Sequence, residues 1–158
     1  MALRNIVTEG DTILEKKCHT VVKFDDKLAT LLDDMAETLS LAGGVGLAAP
    51  QVGILRRVVV ININDELIEL INPTIVEQSG EQEGSEGCLS CPGQWGIVVR
   101  PLNVTVKAQD RKGKVFTKSG TELLARCFCH ELDHLDGVIF KERAKRMLND
   151  QELEELYS

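Results

Sequence analysis

Histidine is scarce in this sequence: three residues in 158, at His19, His130 and His134. Excess positive charge is missing as well. The net charge is −7, which argues against a broad nucleic-acid-binding surface. No apolar run approaches the roughly 20 residues that a membrane-crossing helix needs. The opening residues, Met1-Ala2-Leu3-Arg4-Asn5, carry neither an apolar signal region nor a basic, serine-rich presequence, so the expected location is the cytoplasm. Cysteine is present in odd number, as Cys18, Cys88, Cys91, Cys127 and Cys129. Without an export signal this disfavours a disulfide framework and leaves thiols for ligation or packing. What is there, 43% hydrophobic and 27% charged residues, is the composition of one ordinary globular domain over residues 1–158.

Two of the three histidines fall in one short pattern, His130-Glu131-Leu132-Asp133-His134. On a helix, residues four apart lie on one face, so both imidazoles reach a single metal ion with a glutamate beside it. A divalent metal acidifies water and the carboxylate takes the proton. Leu123, Cys127, His130 and His134 share that stripe, so the metal face runs on into an apolar wall. Catalytic sites of this type use three protein ligands. Cys88, after a glycine-rich stretch, is the best third candidate, and Cys91 competes with it. Cys88 and Cys91 with both histidines would make a closed Cys2His2 site, although the spacing is far longer than in zinc fingers.

Around this stretch the pattern reads as follows. Residues 25–41 form a helix: Leu28, Leu31, Leu32, Met35 and Leu39 make one apolar face, capped by Asp25 or Asp26 and stopped by Gly43-Gly44. Residues 43–53 are small and apolar except for Gln51, so backbone can approach a ligand closely there. Strands are expected at 56–63, with a buried Val58-Val59-Val60-Ile61 run, and at 67–71, 75–78, 95–100, 103–108 and 115–117. Residues 79–87 read as a polar loop. Ser119-Gly120-Thr121-Glu122 reads as a capping box opening the metal-binding helix, which stops near Gly137. Residues 1–23 carry few signals, with Val21-Val22 as a possible strand edge. Cys18 and His19 read as surface or structural residues. Residues 141–146 are basic, and 149–158 are acidic, a short helix or a loose tail.

Three separated motifs together resemble those of the peptide deformylases: Gly44-Val45-Gly46-Leu47-Ala48-Ala49-Pro50-Gln51, then Glu86-Gly87-Cys88-Leu89-Ser90, then His130-Glu131-Leu132-Asp133-His134. The resemblance runs from about the first helix to about Phe140. It implies a hydrolase that removes the N-formyl group from the N-terminal formylmethionine of new proteins, releasing formate. It implies one divalent metal per chain on Cys88, His130 and His134, Fe(II) in the cell, with zinc, nickel or cobalt after substitution. Glu131 would be general base and then general acid. Gln51 and the backbone N–H of Leu89 would face the developing oxyanion. Gly46 would pair its backbone with the peptide as an added strand, and Val45, Leu123 and Cys127 would line the methionine pocket.

The implied partners are N-formylmethionyl nascent peptides, with no direct nucleic-acid site and no membrane. Some relatives dock on the ribosome through a basic C-terminal helix, which the acidic tail does not match; ribosome contact would then fall to residues 141–146, which otherwise read as a solvated helix face. Cys91 stands where the family usually has an aliphatic residue, either as a packing substitution or as a thiol that reacts with Cys88 on oxidation. Glu86 and Arg100 are expected to pair and brace the Cys88 loop. The expected architecture is α+β: antiparallel β-sheets packed around a central metal-binding helix, with an N-terminal helix. Two rivals are an H-E-x-x-H metalloprotease cutting internal bonds and a structural Cys2His2 metal module.

Overall fold

The computed structural model describes residues 2–158. Helix α1 spans Asp26–Ala42, with Asp25 capping it through the Leu28 N–H and Gly43 ending it at φ 73°. Strand β1 (Gly46–Ala48) follows, then a 3-10 turn over Ala49–Val52. Six strands come next: β2 (Val58–Ile63), β3 (Glu66–Ser79), β4 (Gln82–Cys88), β5 (Cys91–Arg100), β6 (Asn103–Gln109) and β7 (Val115–Thr121). Helix α2 (Leu123–Leu135) carries the histidines, and α3 (Phe140–Arg143), β8 (Ala144–Met147) and α4 (Asp150–Tyr157) complete the chain.

All strand pairs are antiparallel, in a five-stranded sheet ordered β1-β2-β3-β6-β7 and a three-stranded sheet ordered β4-β5-β8. The Val58-Val59-Val60-Ile61 run is apolar without alternation because β2 is covered on both faces. Val59 and Ile61 pack with Phe128, Leu132 and Leu135 of α2, whereas Val58 and Val60 pack with Leu28, Leu32 and Met35 of α1. Helix α2 therefore lies between layers, and ten of its thirteen residues are buried, as expected of a helix without a solvent face. The architecture is α+β, antiparallel sheets around a central helix with an N-terminal helix.

Three local readings differ from the structure. The two strands expected at 67–71 and 75–78 are one strand, β3, with a register shift at Asn72-Pro73. Asn72, at φ 53°, bonds Val21 and Gln109, so the pair makes a bulge and not an end. Residues 79–87 are not a loop: most of them form β4, paired to β5. Its more buried positions, Gln82, Gly84 and Glu86, are polar or bare, so alternation is invisible to an apolar pattern. Finally, Ser119–Thr121 finish β7 and do not cap α2. Ser119 Oγ bonds Thr105 Oγ1 across the strands at 2.7 Å, and Glu122 enters the helix at φ 53° with no side-chain cap.

Val21-Val22 joins no strand; its neighbour His19 makes an isolated bridge to Arg56. His19 is exposed and Cys18 is buried. Residues 150–157 are helical, with Asn149 as N-cap.

Candidate active site

The four-residue spacing on α2 places His130 and His134 with ring centroids 5.1 Å apart, both buried. Their third neighbour comes from the β4–β5 hairpin. Cys88 and Cys91 face each other across the two-residue turn Leu89-Ser90. Cys88 Sγ lies 3.3 Å from His134 Nε2. The ligand atoms of Cys88, His130 and His134 all fall within 4.8 Å of one another. Among the described residues this is the one such cluster, and Cys91 lies outside it, buried with Val98 and Phe140.

Glu86 sits behind His130. Its Oε1 is 2.7 Å from His130 Nδ1, which leaves Nε2 for the cluster. Arg100 donates to both Glu86 oxygens, at 3.1 and 2.8 Å, and Arg126 Nη1 donates to Oε2 at 2.6 Å. Arg100 Nη1 also reaches Asp133 Oδ2 at 2.8 Å. Glu86 and Asp133 thus join Arg100 and Arg126 in an ion-pair network under the metal-ligand candidates, with Arg143 on its outer side at Asp133. Burial raises the Glu86 pKa, but bonds from His130 and Arg100 outweigh it and hold the carboxyl down at about 2. The Glu86–Arg100 pair was legible in the sequence. The bonds to His130, Arg126 and Asp133 were not, although Arg126 among apolar helix positions was a visible signal.

Gln51 is held by both ends of its amide. Oε1 accepts from the Ala48 N–H at 2.9 Å, while Nε2 donates to Ser90 Oγ at 3.1 Å and points at Cys88 Sγ at 3.5 Å. The N-terminal arm, which carried few sequence signals, clamps these loops. The Val7 N–H donates to Gln51 O at 2.7 Å, and the Glu9 N–H to Ser90 O at 2.8 Å.

Glu131 is buried, with Oε2 at 3.9 Å from His130 Nε2 and Oε1 without a partner. Burial raises its pKa to about 7. Gly46 abuts it: a Cβ built there would stand 2.6 Å from Glu131 Oε2 and 2.7 Å from Cys127 Sγ. Strand β1, which carries Gly46, is an edge of the five-stranded sheet, so one side of its backbone is unpaired by any strand. A cleft of about 620 Å³ opens here, lined by Val45, Gly46, Gln51, Cys88, Leu89, Leu123, Cys127, His130 and Glu131, and its wall is mainly apolar. The cleft thus gathers every proposed site residue except His134, which lies buried behind Cys88. It also holds residues not singled out from sequence, Ile6, Trp95 and Tyr157.

The donor set fits a divalent ion. Burial drives the His134 pKa down to about 3, so the imidazole is neutral and able to ligate. In His130, burial is outweighed by the Glu131 and Glu86 carboxylates, and its pKa rises. The Cys91 contact and burial push the Cys88 thiol far above its ordinary value. A thiolate at Cys88 therefore needs a cation beside it.

A buried His-Glu-x-x-His helix, a cysteine at the third corner and an apolar cleft define a metal-dependent hydrolase. The polypeptide deformylase family model matches residues 3–150. A curated peptide deformylase of Acetivibrio thermocellus is 55% identical over 154 residues, 98% of this chain and 91% of its own. The crystal structure of a peptide deformylase from Legionella pneumophila matches with a TM-score of 0.87 at 42% identity, covering 98% of this chain and 95% of that one. That from Thermotoga maritima matches at 0.88 and 37%, covering 90% and 98%. The chain belongs to the polypeptide deformylase family, hydrolases that release formate from the formylmethionyl end of new proteins.

Proposed function

We propose that this chain deformylates N-formylmethionyl nascent peptides with Glu131 as the proton-transfer group. The observation that carries this reading is the position of the Glu131 carboxylate: buried, free at Oε1, and wedged between His130 and the side-chain-free edge at Gly46.

The peptide lies along β1 as an added strand, bonded to the backbone at Gly46. Its methionine side chain rests among Val45, Leu123 and Cys127. Cys88, His130 and His134 would hold a divalent ion, which would supply Lewis acidity toward the attacking water and the formyl oxygen. Glu131 takes the proton of the attacking water. A C–O bond forms at the formyl carbon while the carbonyl oxygen gains negative charge. Gln51 Nε2 and the Leu89 N–H donate to that oxygen. Glu131 then passes its proton to the leaving nitrogen, the C–N bond breaks, and formate and the free amine depart.

The ion we assign in the cell is Fe(II), with zinc, nickel or cobalt in isolated protein; a Cys-His-His set accepts each of them. The working location is the cytoplasm, where formylated chains emerge, and residues 1–158 act as one catalytic domain. No helix among the described residues is long and apolar enough to cross a membrane. Ribosome contact through residues 141–146 would compete with existing pairs. Lys141 binds Glu9, Arg143 binds Asp133, Lys145 binds Glu83 and Arg146 binds Glu152.

The test is formate release, under anaerobic conditions, from a formyl-methionyl tripeptide beside its N-acetyl counterpart and an N-blocked peptide with internal bonds only. Release from the formyl peptide alone supports the reading. Cleavage of the internal bonds would favour an endopeptidase instead.

A further inference from the structure

Cys91 has no part in the chemistry above. It is buried against Val98 and Phe140, where a valine would pack as well as a thiol. Two observations set it apart from a packing residue. It lines the same cleft as Cys88, so both side chains face one cavity. It is also the register partner of Cys88 across the two-residue turn Leu89-Ser90, and the two side chains are in contact.

A turn of this kind holds its flanking Cα atoms within about 7 Å, and disulfides usually span about 4.4–6.8 Å between Cα atoms. The pair is therefore within reach of a bridge without movement of either strand. Cys88 is the more open of the two, half-buried where Cys91 is buried, so a small oxidant meets Cys88 first. One rival partner for Cys88 lines the cleft as well: Cys127, on the wall that α2 forms beside Gly46.

We propose that Cys91 is a resolving thiol, which captures peroxide-oxidised Cys88 as a Cys88–Cys91 disulfide and so makes oxidation of the metal site reversible. The inference rests on Cys88 being a metal ligand under the deformylase reading. The Cys88 sulfur attacks one oxygen of hydrogen peroxide; an S–O bond forms, the O–O bond breaks, and water leaves with the thiol proton. The Cys91 sulfur then attacks the sulfenic acid; the S–S bond forms, the S–O bond breaks, and a second water takes the Cys91 proton. Two thiols are oxidised and one peroxide is reduced to two waters. A disulfide sulfur is no longer a thiolate, so only His130 and His134 of the three ligand candidates remain. A dithiol reverses the step by exchange, becoming a disulfide itself. Without Cys91 the sulfenic acid goes on to sulfinic and sulfonic acids, which dithiols do not reduce.

The test treats the zinc-loaded full-length parent and Cys91→Val with hydrogen peroxide, then with dithiothreitol. Samples are alkylated under denaturing conditions and digested. Trypsin cuts after Arg57 and Lys107 and is blocked at Arg100 by Pro101, so one peptide holds Cys88 and Cys91 and no other cysteine. After peroxide, the parent peptide should lack two hydrogens and resist alkylation, and zinc should be released. Dithiothreitol should return both thiols, and added zinc should restore formate release. In Cys91→Val the peptide should gain oxygens, and its recovered thiol should be roughly tenfold or more below the parent's. Oxygens on Cys88 beside a free Cys91 in the parent, or a Cys88–Cys127 link between two peptides, would overturn the proposal. Equal recovery in the two proteins would also overturn it. The parent's masses decide the disulfide even if the variant fails to fold. They are read without substrate, so a parent that released no formate before oxidation would contradict the deformylase reading separately.

Discussion

Glu86 Oε1 stands 2.7 Å from His130 Nδ1, while Arg100 and Arg126 hold the rest of that carboxylate. One acidic side chain therefore orients a metal-ligand candidate and pairs with two buried guanidiniums, of which Arg100 has Asp133 as a second partner. Replacing it as Glu86→Gln should cost roughly 10- to 100-fold in metal affinity, because the imidazole loses its orienting partner. Stability should fall by about 3 kcal/mol, since Arg126 stays buried without its counter-charge, while Arg100 keeps Asp133. Zinc titration and urea unfolding of the metal-free protein read the two effects separately.

The same carboxylate sets an acid limb of stability. Its pKa is held near 2, below the ordinary 4.5. A lowered carboxyl stabilises the fold above the unfolded value, and that contribution is lost as pH falls from about 4.5 through about 2. The gap in urea midpoint between parent and Glu86→Gln should thus shrink progressively as pH falls below about 4.5. A gap that widened in acid would contradict this.

Gly46→Ala tests the close approach at the edge strand. Its Cβ would meet Glu131 Oε2 at 2.6 Å and Cys127 Sγ at 2.7 Å, so the carboxylate must move. Formate release should drop by a factor of roughly 100 or more, as displaced catalytic groups do. The thermal midpoint should fall only modestly, as overpacking costs about 1–3 kcal/mol.

Cys91→Val separates the two cysteines of the hairpin. Cys91 is buried against Val98 and Phe140 and lies outside the three-residue cluster. The variant should keep one ion per chain and its formate release, while Cys88→Ser should lose both. Elemental analysis after desalting decides it. Loss of the ion in Cys91→Val would reinstate the closed four-ligand site.

Much of this was legible before any coordinates, where residue chemistry and periodicity coincide. The α1 stripe from Leu28 to Leu39, the doubly covered β2 run and the four-residue spacing of His130 and His134 each point to one structure. Strand β4 was not legible, because its more buried positions serve the arginines instead of an apolar core. The α2 start was misread because Ser119, a good cap by type, is used by Thr105 in the sheet. The tail gave no sign of reaching the cleft: α4 has no buried residue, and its link to Trp95 is one hydroxyl. Contacts such as Glu86 to Arg126 join residues 40 apart, and no local pattern encodes them.

The most direct test of the account compares the parent with Glu131→Gln, both purified without oxygen and with equal metal content. On a formyl-methionyl tripeptide the parent should release formate. The variant should bind the peptide yet release formate at least about 100-fold more slowly, the loss expected when a general base is removed. Equal rates in the two fully metallated proteins would show that Glu131 carries no proton, and the proposed mechanism would fall.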